Sequence, residues 1–307
     1  MNVFTVFVAG GSGTIGVPLV RALVTAGHRV AATTRTPAKA PMLRDLGATP
    51  VVVDALDAAA VERAVRAAAP THVIHQLTAL PREGPRRASD LEPTNRLRDE
   101  GTRYLLRAAI AAGATRIIAG SFAPIAVMPA GSTGDPALDR GIQATRSMES
   151  QILDAARSGS IEGIVLRYGL FYGPGNPLTD SLIAMVRRRR FPKVRGDRGQ
   201  LPYIHIDDAV SATIAALDRG ASGSVYDVAD DHPASFSEMV AEVAALTGAP
   251  RPFTVPAWLP RLVAPYMSRM LMMQLPLSNA KARRELGWTP RYPSYREGLR
   301  QTIARAA

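Results

Sequence analysis

The sequence predicts an α/β fold, a doubly wound parallel sheet with helices on both faces and a smaller C-terminal lobe. Three observations carry this. Short apolar, β-branched runs alternate with alanine-rich helical stretches through the first half of the chain. The alternation opens on an apolar run, Phe4-Thr5-Val6-Phe7-Val8, and passes at once into a glycine-rich turn. It stops near Tyr172, where Gly173-Pro174-Gly175-Asn176-Pro177 forms a loop of turn residues ahead of mixed helices and short strands.

The elements follow in order. Phe4 to Val8 is the first strand, and Val17 to Ala26 a helix closed by Gly27. Arg29 to Thr34 is the second strand, Pro41 to Leu46 a helix ended by Gly47, and Thr49 to Val53 the third strand. Ala58 to Ala69 is a helix stopped by Pro70, and His72 to His75 the fourth strand. A polar loop, Pro81 to Ser89, precedes a long helix from Arg96 to Ala112, ended by Gly113. Arg116 to Ala119 is the fifth strand, Arg146 to Ala156 a helix, and Gly163 to Arg167 the sixth strand. Right-handed crossovers between such strands give the doubly wound arrangement. Residues 1–172 are expected to form the sheet domain, with 203–228 returning to it; 173–202 and 229–307 are expected to form the second lobe. Within that lobe Met267, Met270, Leu271, Met272 and Met273 stand at helical spacing. Prolines interrupt the stretch, so a core or substrate-pocket helix is preferred over one lying on a membrane surface.

Composition narrows the function classes. The chain has 307 residues, is 47% hydrophobic and has no cysteine, so disulfides, thiolate chemistry and cysteine-based zinc sites are excluded. No metal site is expected. The chain enters its first strand without a basic leader, and no apolar run has the length of a membrane span, so a cytoplasmic location is the default expectation. The net charge is +11, but lysine occurs only at Lys39, Lys193 and Lys281, and the arginines are scattered over helical faces among abundant alanine. That pattern fits a coding bias, and neither a nucleic-acid nor a membrane partner is expected. The one dense basic run, Arg187 to Arg190, reads as a solvated helix end or as a contact to an anionic substrate group.

The turn after the first strand carries the chemistry. In Gly10-Gly11-Ser12-Gly13-Thr14-Ile15-Gly16, Gly11, Gly13 and Gly16 fit G-x-G-x-x-G, while Gly10, Gly13 and Gly16 fit the wider G-x-x-G-x-x-G. Either way one glycine makes a tight turn, one lets a pyrophosphate approach the backbone, and one permits close helix–strand packing. The free N–H groups at the helix start then hold phosphate. The sheet is therefore expected to be a Rossmann-type dinucleotide-binding fold. At the end of the second strand an acid usually reads a free ribose 2′-OH; here Thr34-Arg35-Thr36 offers a cation and two hydroxyls instead. NADP is therefore preferred over NAD, although Arg35 stacked on adenine would serve either. Asp54, followed by Ala55 and Leu56, either meets the adenine amino group or caps a helix.

At this point the chain resembles the extended short-chain dehydrogenases/reductases, the NAD-dependent epimerase/dehydratase family. The resemblance rests on six ordered stretches: the Gly10-Gly13-Gly16 turn; Val73-Ile74-His75-Gln76-Leu77, similar to the strand beside the cofactor ribose; Glu100-Gly101-Thr102-Arg103-Tyr104-Leu105-Leu106; Leu166 to Gly175, with Tyr168 where a proline is usual; Tyr203-Ile204-His205-Ile206-Asp207-Asp208-Ala209; and Lys281 to Pro290. It implies an NAD(P)-dependent oxidoreductase or epimerase acting on a small hydroxy or keto compound, such as a sugar or secondary metabolite. It also implies cofactor contacts from Gln76 and Leu77. A homodimer is compatible with the fold class.

The family's catalytic set is a Ser or Thr after the fifth strand and a Tyr-x-x-x-Lys on the next helix. The tyrosine is the acid/base, and the lysine lowers its pKa and holds the ribose. Ser121 follows Ile117-Ile118-Ala119-Gly120 as expected. With Glu149 aligned to the family's helix glutamate, however, the tyrosine position falls on Gly141 and the lysine position on Thr145. The remaining candidates for oxygen and proton handling are Ser121, His75, Tyr168 and Tyr172, with Arg140 or Arg146 as cations near the missing pair and Asn95 as a water-network or cap residue. His205 with Asp207 and Asp208 resembles a catalytic pairing but is expected to position loops. Two further readings stay open: a non-redox lyase, dehydratase or isomerase, and a non-catalytic NADP sensor.

Overall fold

The computed structural model describes residues 3–81, 84–85, 87–123, 128, 133–263, 268, 272–275 and 277–306. Its strands are β1 (Thr5–Ala9), β2 (Arg29–Thr34), β3 (Thr49–Val52), β4 (His72–His75), β5 (Arg116–Phe122), β6 (Glu162–Tyr168), β7 (Leu170–Tyr172), β8 (Lys193–Val194), β9 (Tyr203–His205), β10 (Ser224–Val228) and β11 (Thr254–Val255). Seven of them form one parallel sheet in the order β10-β6-β5-β4-β1-β2-β3. The order reverses between β1 and β4, the switch point at which open α/β sheets bind ligands beyond the strands' carboxyl ends.

The helices are α1 (Gly16–Thr25), α2 (Ala40–Asp45), α3 (Ala58–Ala68), α4 (Glu92–Arg96), α5 (Thr102–Ala111), α6 (Pro136–Arg157), α7 (Pro177–Arg187), α8 (Ile206–Arg219), α9 (Phe236–Leu246), α10 (Trp258–Val263), α11 (Ala280–Leu286) and α12 (Tyr295–Ala306). Strand alternation assigns them to layers. Val6 and Val8 of β1 face a core built with Leu19, Val20 and Leu23 of α1 and Ala209, Ala212 and Ala216 of α8. Phe7 and Ala9 face the opposite core, with Val61 and Val65 of α3, Leu105 and Ala109 of α5 and Ile152 of α6. A third core joins Leu182 and Val186 of α7, Val240 and Val243 of α9, and Leu299 and Ile303 of α12 around Tyr172 and Tyr203.

Two helices depart from their expected limits. The predicted Arg96–Ala112 helix is α4 and α5 joined by a π-helical turn, Leu97–Gly101. α6 starts at Pro136, well before Arg146: Asp135 accepts from the N–H groups of Ala137 and Leu138, and Pro136 fits the first turn, where no donor is needed. Of the methionine stretch, Met267, Met270 and Leu271 lie outside the described residues, while Met273 packs against the third core. Arg82, Glu83 and Arg86 of the polar loop also lie outside them. Arg187 to Arg190 are exposed at the end of α7. Among the described residues no helix is long and apolar enough to cross a membrane.

Candidate active site

The glycine turn lies between β1 and α1 at the switch point. Gly10 adopts φ +91°, and a Cβ there would stand 2.7 Å from the Gln76 carbonyl oxygen, so the turn requires glycine. At Gly16 a Cβ would come 2.1 Å from the Gly10 carbonyl oxygen, so glycine is what lets α1 start against the loop. Gly11 is buried against Ala32 of β2. Gly13 is different: it is exposed, and a Cβ would meet only the Gly10 carbonyl oxygen, at 3.3 Å. Among the described residues, the N–H groups of Thr14 and Ile15 find no protein acceptor. An open backbone edge with unpaired donors at a helix start is what a pyrophosphate needs, so these residues fit a dinucleotide.

Hydroxyls tie this turn to β2. Gly10 N–H donates to Thr33 Oγ1 at 2.9 Å and Ser12 Oγ to Thr34 Oγ1 at 2.9 Å, and Thr36 N–H also donates to Thr34 Oγ1, at 3.2 Å. Thr34 is therefore buried support for the loop. Arg35 and Thr36 next to it are exposed at the strand end. Asp54 is exposed, and its Oδ1 accepts from Leu56 N–H at 3.0 Å, while the cap of α3 is Asp57. Ala55 and Leu77 line an apolar cleft with Ala9, Thr33, Val53 and Leu105. These residues thus gather along one edge of the sheet, as a dinucleotide's adenosine half requires.

The catalytic candidates do not gather. Ser121 Oγ donates to Glu149 Oε1 at 2.5 Å, and Arg167 clamps the same carboxylate through Nε at 2.9 Å and Nη2 at 2.6 Å. Ser121 is thereby a member of a buried structural triad linking β5, β6 and α6. His75 is fully buried; Leu77 N–H donates to its Nδ1 at 3.2 Å, and its Nε2 faces Thr102 Oγ1 at 2.9 Å. Both ring nitrogens are occupied, and burial, reinforced by Arg98, lowers its pKa to about 4. It is a neutral core histidine, not a proton shuttle.

Tyr168 faces α8, on the opposite side of the sheet from Ser121. Its hydroxyl pairs with Thr213 Oγ1 at 2.7 Å and accepts from Gln76 Nε2 at 3.0 Å, and burial pushes its pKa up to about 12. Gln76 therefore spends its side chain on the core rather than on a ribose. Tyr172 lies in the third core, donating to Asp230 Oδ2 at 2.9 Å and the Ser294 carbonyl at 3.2 Å; burial raises its pKa further still. His205 caps α8 by accepting from Asp207 N–H, and Asp208 accepts from the Arg291 and Tyr292 N–H groups, so this cluster is structural.

Gly141, Thr145 and Glu149 are all buried on one face of α6. Leu91 Cδ1 stands 3.4 Å from where a Gly141 Cβ would be, and Asn95 Oδ1 stands 3.7 Å from it. Asn95 is buried within α4, and its Oδ1 has no hydrogen-bond partner among the described residues, so it is no helix cap. The cation beside Thr145 is neither Arg140, which faces Glu92 at 3.8 Å, nor Arg146, which donates to the Met128 carbonyl at 3.2 Å. It is Arg98, whose Nη1 donates to Thr145 Oγ1 at 2.8 Å. Sequence reasoning missed this residue, because the contact depends on how the π turn docks on α6.

The fold and the nucleotide cradle define a Rossmann-type dehydrogenase-like protein, and sequence comparison sharpens the class. The profile of the NAD-dependent epimerase/dehydratase family matches residues 6–229, and the chain belongs to that family. Its members are NAD-dependent enzymes of the short-chain dehydrogenase/reductase type. A 3-diazoavenalumate denitrifying reductase from a Streptomyces species is 41% identical over 96% of this chain and 98% of its own. A 2-alkyl-3-oxoalkanoate reductase from Stenotrophomonas maltophilia is 28% identical over 98% and 99% of the two chains. Among solved structures, the UDP-glucose 4-epimerase of Thermus thermophilus in complex with NAD superposes with a TM-score of 0.77 at 24% identity, covering 97% of both chains.

Proposed function

We propose that this protein is a reductase using NADP(H) in preference to NAD(H), and that it passes hydride to an acceptor whose reduction draws no proton from the protein. One observation carries the reading: the chain contains no Tyr-x-x-x-Lys, and with Glu149 aligned to the family's helix glutamate the tyrosine and lysine positions fall on Gly141 and Thr145. The neighbouring hydroxyls and imidazole do not replace them, because the Ser121 hydroxyl donates its hydrogen bond to Glu149 and His75 is buried and neutral. Reducing a carbonyl consumes a hydride and a proton, so such a site serves it poorly. Replacing an aromatic diazonium group by hydrogen consumes one hydride and no net proton. The hydride electron pair becomes the C–H bond, and the C–N pair leaves with N₂.

A bound reduced nicotinamide supplies that hydride. The chain's own residues hold the pyrophosphate at Gly13, Thr14 and Ile15, and Arg35 with Thr36 receives the 2′-phosphate. The 41% identical Streptomyces relative is named for a diazo substrate, which supports this acceptor class over the broader hydroxy or keto compounds.

The test offers the protein NADPH with a carboxylated arenediazonium salt and, in parallel, a panel of ketones and aldehydes, each against a protein-free control. Protein-dependent release of N₂, with deuterium passing from C4-deuterated NADPH to the arene, supports the reading. Turnover confined to carbonyls would overturn it.

A further inference from the structure

On the reading that a nicotinamide dinucleotide lies along the sheet's carboxyl edge, we propose that Arg98 holds its nicotinamide-side ribose, in place of the lysine the family carries at Thr145. The hydrogen-bond order fixes the geometry. Thr145 Oγ1 donates to the Gly141 carbonyl at 2.8 Å, so its lone pairs receive Arg98 Nη1, also at 2.8 Å. The guanidinium is thereby anchored to the α6 side chain that stands at the family's lysine position.

The backbone is built for this placement. Arg98 lies in the π turn Leu97–Gly101, and such turns re-aim side chains at functional sites. The turn is pinned to α6 on its other side, where Ser147 Oγ donates to Asp99 Oδ1 at 2.7 Å and Gln151 Nε2 to the Asp99 carbonyl at 3.2 Å. Arg98 also acts on the end of β4, because its charge helps keep His75 neutral. That strand end is joined to the glycine turn through Gln76 N–H and the Ala9 carbonyl at 2.8 Å. Arg98 thus bonds α6 through Thr145 and acts electrostatically on the end of the strand beside the glycine turn.

The chemistry fits a vicinal diol. A guanidinium carries five N–H donors in one plane, and two adjacent hydroxyl oxygens accept from it side by side. The Oδ1 of Asn95, which has no hydrogen-bond partner among the described residues and faces Gly141, supplies an acceptor at the same face of α6 for a hydroxyl or carboxamide N–H. Unlike lysine, arginine keeps its charge at all working pH values, so ribose holding is uncoupled from proton transfer.

The test compares NADPH with adenosine 2′,5′-bisphosphate, which lacks the nicotinamide ribose, in direct binding assays on folded protein. R98Q is expected to weaken NADPH by about tenfold or more while leaving the bisphosphate within about twofold, and R98K recovers part of the loss. T145V, which removes only the anchoring oxygen, is expected to weaken NADPH by about threefold and keeps the test independent of how R98Q folds. Unchanged NADPH affinity in R98Q and T145V, or equal weakening of both ligands, would overturn the assignment of Arg98. Failure of the wild-type protein to bind either ligand would instead remove the dinucleotide reading beneath it.

Discussion

Glu149→Gln removes the charge from the triad that locks β5, β6 and α6 together. The carboxylate accepts three hydrogen bonds, one from Ser121 and two from Arg167. In glutamine one oxygen becomes an N–H₂ group, which would face a guanidinium donor or the serine hydroxyl. Neutralising one partner of a buried ion pair costs about 3–5 kcal/mol. The Arg167 side chain keeps 24% exposure, and water there relieves part of the loss. About 2–4 kcal/mol is therefore expected, which for a chain of this size lowers Tm by roughly 3–6 °C. The assay is thermal unfolding of wild type, E149Q and the double variant E149L/R167M. Removing both charges should recover part of the lost Tm, and the remainder should report Asp227, a half-buried carboxylate whose charge Arg167 also favours. An E149Q melting curve superimposable on wild type would refute a stabilising triad and return Ser121 to the list of groups free to meet substrate.

Other outcomes follow from the same geometry. Tyr168→Phe removes a hydroxyl bonded to Thr213 and Gln76, so it should cost about 1 kcal/mol of stability and leave hydride transfer within about twofold, measured by denaturation and single-turnover kinetics. Arg35→Glu should reverse the cofactor preference, weakening NADPH by at least about tenfold while sparing NADH, read from direct binding. His75 protonates in the unfolded chain near its ordinary 6.5 but in the folded protein only near about 4. Its contribution is therefore complete above about pH 6.5 and is lost as pH falls towards about 4, with His72 and His205 shifted the same way. Tm should drop between about pH 7 and pH 5, and H75Q should show a smaller drop.

Local signals made much of the fold legible. The glycine turn, the alternating strands and Arg35 after β2 each depend on residues near in sequence. The start of α6 was also written locally, in Asp135-Pro136, but lay beyond the apolar periodicity used to find the helix. Tyr168 could have been excluded from the alternation alone. It shares a side of β6 with Ile164 and Leu166, whereas Arg167 points the other way, beside Ser121 on β5. His75 needed the third dimension, because only the packed structure shows Thr102 and the Leu77 N–H filling its ring nitrogens. Arg98 was the hardest to see. Sequence reasoning looked for a cation near the missing pair, at Arg140 and Arg146, yet the guanidinium that reaches Thr145 comes from another helix. No periodicity reports a contact between elements so far apart in the chain.

The pH dependence of hydride transfer itself tests most directly whether the protein lends a proton. Single-turnover rates would be measured with saturating NADPH and the acceptor the protein turns over, between about pH 6.5 and 9. With Arg98 permanently charged, His75 neutral and Tyr168 titrating only near about 12, the rate is predicted to be flat across that window. A rate that falls along a single ionisation, with a pKa between about 7 and 8.5, would reveal a working acid on the protein and contradict a proton-free hydride transfer.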